Sequence, residues 1–299
     1  SHLMKALVWP FLVFWSVSTP ILAAEFPAIP GQRFDVGGYQ LHIHCTGKGS
    51  PTVLVDVGLG DDSTDWLPIQ QAISQNSRIC VFDRAGYGWS DFGPAPRTSK
   101  RIARELEILL EEADIPAPYV LVGHSFGGYN IRIFAANNPE MVAGMVLVDA
   151  SHEDQYNQFK IKLPNNFNRR GTIMILPKST DSMAHADKPP VLRERAFHAA
   201  RAEISALEQS AVQVQQNAAI PVVPLIVISR GKPEWYGDLV LQQREKTWID
   251  LQQDLTRLSP ISQHMFAHQS GHAIPHEQPE IIIEAIEQVL TQANARNIL

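Results

Sequence analysis

Residues 123–128 read Gly-His-Ser-Phe-Gly-Gly, directly after the apolar run Tyr119-Val120-Leu121-Val122 and ahead of the helical stretch Tyr129 to Ala136. A serine between two glycines, at the junction of a buried strand and a helix, has a specific chemical meaning. So sharp a turn strains the backbone at Ser125 and admits only small neighbours, which Gly123 and Gly127 are. It also lifts the hydroxyl off the sheet and aims the helix N-terminus at the reaction centre. Ser125 is the candidate nucleophile. The competing reading is a glycine-rich strand-to-helix turn with an idle serine.

A serine hydroxyl needs a base to take its proton. Near the C-terminus, Ser262 to Ala267 reads as a last strand, followed by Gln269-Ser270-Gly271-His272-Ala273-Ile274-Pro275-His276-Glu277-Gln278-Pro279. The strand-serine-helix turn and this Gly-His loop, in the chain order serine then histidine, resemble the α/β-hydrolase superfamily. So does Arg78 to Asp91, with Asp83, Arg84, Gly86 and Gly88, which is similar to the fourth strand and following loop of that fold. Asp83 and Arg84 read as structural. The likeness spans roughly residues 35–150 and 220–290.

The resemblance implies roles for particular residues. The base is His272, which follows a glycine; His264, His268 and His276 read as strand or loop histidines. Its task, taking a proton and returning it, suits an imidazole titrating near neutrality. The triad acid usually follows the seventh strand, here residues 224–229, but Arg230-Gly231-Lys232-Pro233-Glu234 carries no Asp there. Asp149, at the end of the sixth strand, takes the role in some members; Glu234 and Asp238 remain alternatives. Backbone N–H groups of Phe126 and Leu59 form the expected oxyanion hole. The family commonly has His-Gly-x at the second position where this chain has Val57-Gly58-Leu59, but the donor is a main-chain amide.

These roles imply a serine hydrolase that cleaves a small-molecule carboxylic ester through an acyl-enzyme. A serine at the elbow argues against haloalkane dehalogenases and epoxide hydrolases of this fold, which use an Asp there. Other acyl or C–C hydrolysis, or acyl transfer, would use the same triad. A non-catalytic ligand-binding protein of the same fold is the reading from a different class.

The elements that must position these groups alternate. Strands are expected near 33–37, 40–46, 52–57, 78–83, 119–123, 144–149, 223–229 and 262–267. Helices are expected over Ser99 to Ala113, with Ile102, Leu106, Leu109 and Leu110 on one stripe, and over Gln278 to Ala293. The alternation means an α/β fold: a mostly parallel eight-stranded sheet with helices on both faces. Residues 25–150 and 220–299 form this core, and 151–219 a helical cap inserted after the sixth strand. Within the cap, 165–190 is loop-like, and Val191 to Gln216 has apolar residues at helical spacing.

With 299 residues, 44% of them hydrophobic, the chain can build one large core. A net charge of −6 with interspersed signs implies no nucleic-acid partner. No metal or cofactor is implied; His42 and His44 alternate on one strand without a third ligand. No feature sets an oligomeric state.

Ser1-His2-Leu3 reads as a cloning remnant before a start at Met4. Lys5, the uncharged residues Ala6 to Ala24 and the small-residue finish describe a secretory signal peptide. A helix of this length would reach about 28 Å, so membrane association through residues 6–24 is the alternative to cleavage after Ala24. Export, to a periplasm or the medium, suits the two cysteines: the resemblance makes the strands of Cys45 and Cys80 neighbours, which implies a disulfide. The bland reading is two buried thiols.

Overall fold

A computed structural model describes residues 28–159, 188–217 and 219–297. The segment 1–27, most of the loop-like stretch 165–190, and the cleavage or anchoring expected there lie outside the described residues. No helix among the described residues is long and apolar enough to cross a membrane.

The chain forms strands β1 (Gln32–Asp35), β2 (Gln40–Thr46), β3 (Thr52–Asp56), β4 (Arg78–Phe82), β5 (Tyr119–His124), β6 (Val142–Val148), β7 (Leu225–Arg230) and β8 (Ser262–Ala267). They make one sheet ordered β1-β2-β4-β3-β5-β6-β7-β8. The pairs β1–β2 and β2–β4 are antiparallel and the rest parallel. This is the expected α/β-hydrolase architecture.

Six of the eight strands differ from the expected limits by one or two residues, and two of them show a local reason at their C-terminal ends. β1 ends at Asp35, whose carboxylate accepts the Gly37 and Gly38 N–H groups in a turn that both glycines enter at positive φ. β6 spans Val142–Val148, because Asp149 leaves it at φ 39°.

The inner strands are apolar on both faces, as a doubly covered parallel sheet requires. Val53, Val55, Val120, Val122, Val146, Val148, Ile226 and Ile228 line one face. Helix α1 (Leu67–Ile73) packs there, as does the closing helix Pro279–Asn297 through Ile282, Ala285, Ile286 and Val289. Leu54, Leu121, Met145, Leu147 and Val227 line the other face under α2 (Ser99–Glu112) and α3 (Gly127–Asn137). Thr98 caps α2 by accepting the Arg101 N–H at 3.3 Å.

Beyond β6 come α4 (Gln155–Gln158), α5 (Pro190–Ser205) and α6 (Leu207–Gln216). The apolar spacing over Val191 to Gln216 thus belongs to two helices, broken at Ala206; nothing in the spacing marks the break. Leu207, Ala211 and Val214 of α6 join the core cluster beneath α2 and α3, so this half of the expected cap packs as part of the core layer. Helix α7 (Leu239–Leu255) follows β7 and was not anticipated, since few of its residues, Trp248, Leu251, Gln252 and Leu255, face inward. The short α8 (Ile274–Glu277) precedes α9 (Pro279–Asn297).

Cys45 and Cys80 face each other across the β2–β4 register and are joined as a disulfide.

Candidate active site

β5 delivers the nucleophile candidate. Ser125 follows it at φ 53°, a left-handed conformation that costs a non-glycine residue about 1–3 kcal/mol. Its N–H donates to the Val148 carbonyl at 3.1 Å, and its carbonyl accepts the Gly128 and Ser151 N–H groups at 3.0 Å each. The glycines are needed for close approach. A Cβ at Gly123 would meet the backbone of Gly127 and Gly128 at 2.8–2.9 Å, and one at Gly127 would overlap the Asp56 carbonyl.

The loop after β8 carries His272 to this turn. Its Nε2 lies 2.9 Å from Ser125 Oγ, and its Nδ1 lies 2.6 Å from Asp149 Oδ2. Asp149 sits at the end of β6, beside β5, so strand order alone brings it under the histidine. All three side chains are buried.

The surroundings of Asp149 keep it ionised. Burial opposes its charge, but the Arg230 guanidinium, His272 and the Trp248 indole together hold it well below the usual carboxylate range. Arg230 Nη1 lies 3.0 Å from Oδ2, and the Arg230 and Trp248 N–H groups reach Oδ1 at 3.3 and 2.8 Å. Arg230 is itself gripped by Glu245 at 2.9 and 2.7 Å and lies over the Trp248 ring.

The other acids stand elsewhere. Glu234 Oε1 accepts the backbone N–H of His272 at 2.7 Å, so it holds the loop and leaves the ring to Asp149. Asp238 caps α7 by accepting the Leu241 N–H at 2.9 Å. Among the rival histidines, His264 bonds Ser229 and Gln253 at 2.6 Å each, and His276 pairs with Asp65 at 3.1 Å. His42 pairs with Asp83 at 2.8 Å inside the protein, as a core histidine does.

Phe126, preceding α3, and Leu59, beyond β3, are buried. Among the described residues neither amide N–H is bonded to a protein acceptor. Two such donors can receive a developing oxyanion.

Sequence reasoning missed His124, which ties the two halves of the site together. Its Nε2 lies 2.8 Å from the His272 carbonyl, and burial, aided by neighbouring His272, pushes its pKa down to about 4. It also missed Trp248 and Arg230. Arg230 carried a signal: a cation ending an apolar strand must find an anion.

One triplet among the described residues has metal-ligand spacing: Asp61, Asp65 and His276, with donor atoms within 4.8 Å. Lys188 already bonds Asp65 there and Asp62 at 3.1 Å. Burial disfavours the Asp65 charge, yet His276 and Lys188 bring its pKa to about 2. The cluster is an ion-pair network, and nothing assigns it a step in catalysis.

A family model described as alpha/beta hydrolase fold matches residues 51–201. Uncharacterized protein YqjL of Bacillus subtilis is 29% identical over 260 residues, which cover 86% of this chain and 91% of that protein. The chain spans less than half the length of several other curated relatives it matches. Among solved structures, a thermophilic esterase from Thermogutta terrifontis superposes with a TM-score of 0.62 at 22% identity, over 88% of this chain and 99% of that one. The epoxide hydrolase CorEH gives 0.60 at 15%, over 87% and 98%. These structural likenesses are of fold, and the fold hosts more than one reaction.

Proposed function

The chain belongs to the alpha/beta hydrolase fold family, and on that footing we propose that it is a serine hydrolase cleaving a small carboxylic ester through an acyl-enzyme. The observation that carries this reading is the continuous buried contact from Ser125 Oγ through His272 to Asp149, at 2.9 and 2.6 Å. Ser125 Oγ attacks the acyl carbon as its proton passes to His272 Nε2. The oxygen that gains charge rests on the amides of Phe126 and Leu59. As the tetrahedral species collapses, the alcohol leaves with the proton from His272. Water, deprotonated by the same imidazole, then attacks the acyl-enzyme and releases the acid. Asp149 holds the tautomer and steadies the imidazolium. A hydroxyl at the elbow supports acyl transfer over the epoxide opening known for one structural neighbour. The joined cysteines and the leader-like sequence of residues 6–24 support an exported protein.

The test is fluorophosphonate labelling together with hydrolysis of a p-nitrophenyl ester series from C2 to C12. Wild type is expected to label on Ser125 and turn over esters. Ser125→Ala should do neither, and Asp149→Asn should lose about 10⁴-fold in kcat while Glu234→Gln keeps most activity. A wild type that neither labels nor hydrolyses any ester sinks the proposal.

A further inference from the structure

Arg84 is a fully buried cation that reaches both the segment after β6 and the loop carrying Leu59. Its Nε and Nη2 grip Glu203 of α5 at 2.7 and 2.9 Å, and Nη1 meets Asp56 Oδ1 at 2.8 Å at the end of β3. The same Nη1 donates to the Val57 carbonyl, and Nη2 donates to the Gly58 carbonyl at 3.2 Å. Tyr87 completes the arrangement: its hydroxyl donates to Glu203 Oε1 at 2.7 Å and accepts the Gly60 N–H at 3.2 Å. One guanidinium and one phenol therefore hold the backbone on both sides of Leu59.

The direction of that hold matters. The Gly58 carbonyl and the Leu59 N–H belong to a single trans peptide unit. A trans peptide is planar, with its C=O and N–H pointing opposite ways. An oxygen held on the guanidinium thus sends the Leu59 N–H away from Arg84. A turn bond from the Asp61 N–H to the same oxygen, at 3.2 Å, works in the same sense. A peptide flip would point the Gly58 carbonyl where the amide now points, exchanging a donor for an acceptor at the oxyanion position.

We propose that Arg84, anchored by Glu203 from beyond β6 and by Tyr87, is a positioning residue that orients the Leu59 amide for the oxyanion. The role rests on the serine-hydrolase reading above. Because Glu203 lies on α5, it makes the oxyanion-binding peptide depend on how α5 is seated. A lysine in place of Arg84 keeps the charge but lacks the planar fork that spans two carboxylates and two carbonyls.

The experiment compares wild type with Arg84→Lys, Glu203→Gln and Tyr87→Phe. Each is checked for a native circular dichroism spectrum, then assayed on p-nitrophenyl butyrate and with butylboronic acid, whose anionic tetrahedral adduct on Ser125 places a boron-bound oxygen where the oxyanion would form. Loss of one oxyanion donor typically lowers kcat by about 10²–10³-fold. We expect a fall of about tenfold or more for Arg84→Lys and a smaller one for Tyr87→Phe. KM should stay within about twofold, and boronate affinity should fall in step with kcat/KM. If Arg84→Lys does not fold, Tyr87→Phe and Glu203→Gln decide. The role is overturned if folded variants keep kcat, or if any loss lies wholly in KM with boronate affinity unchanged. A wild type that neither labels with fluorophosphonate nor hydrolyses ester refutes the serine-hydrolase reading itself, and this role with it. A labelled, active wild type beside variants of equal kcat refutes this role alone.

Discussion

Trp248 donates its indole N–H to Asp149 Oδ1 at 2.8 Å and stands edge-on to the His272 ring, 5.9 Å between centroids. One side chain thus occupies the carboxylate oxygen that His272 does not use and walls the imidazole. Trp248→Phe keeps the wall and removes the bond. It should lower kcat for ester hydrolysis by about ten- to a hundredfold, the equivalent of the roughly 1.5–3 kcal/mol of one hydrogen bond to a charged group, with KM little changed. A variant with wild-type kcat would leave the indole a packing role only.

Arg230 is the main cation facing Asp149, and both are buried. Removing one partner of a buried pair leaves the other uncompensated, at a cost of about 3–5 kcal/mol. Arg230→Met should show that loss in urea unfolding at pH 7. Asp149, held below its unfolded pKa, contributes stability that is present above that value and lost as pH falls through the folded one. The variant relaxes the shift, so its acid unfolding should begin at higher pH than in wild type.

His124 predicts a second pH effect. Its pKa falls from 6.5 to about 4 on folding, chiefly by burial. Between those values the unfolded chain binds more protons, so the contribution is complete above about pH 6.5 and drains away toward pH 4, about 3 kcal/mol in all. Asp56, which burial pushes up to about 6 against the pull of Arg84, acts in the opposite sense over part of this range. It is common to wild type and His124→Asn, so their difference isolates the histidine. Urea unfolding at pH 4.5 and 7 should show a steeper acid loss in wild type; equal losses would refute the assignment.

The positions legible in the sequence were those whose chemistry is local. The elbow announced Ser125 through Gly123 and Gly127, and a glycine marked His272 in its loop. Asp149 was legible only through the family resemblance, in which some members carry the acid at this strand end, and its rivals Glu234 and Asp238 were separable only by where their carboxylates point. What stayed hidden depended on partners far apart in the chain. Trp248 lies in a helix whose outward face is polar, so its four inward residues made no pattern. Arg84 looked structural because Glu203 is 119 positions away. The break at Ala206 has no residue to announce it.

Cys45 and Cys80 join β2 to the middle of β4, whereas Ser125 and Asp149 lie just past the C-terminal ends of β5 and β6. The link closes a loop with a sequence separation of 35, for which chain entropy predicts about 3–4 kcal/mol. The Cys45→Ala/Cys80→Ala variant should lose about that much in urea unfolding and keep kcat within about twofold. A large fall in kcat with stability intact would show that the link shapes the site.

Ser125 occupies a backbone conformation, φ 53°, that the turn would more readily give to glycine. Ser125→Gly should therefore yield an inert chain that melts higher than the active one, by about 1 kcal/mol in unfolding free energy. Drift under selection for stability alone would erase this serine early. On the serine-hydrolase reading the strain is the cost of presenting a nucleophile, and homologues that have abandoned the chemistry should be recognisable by a glycine at this one position.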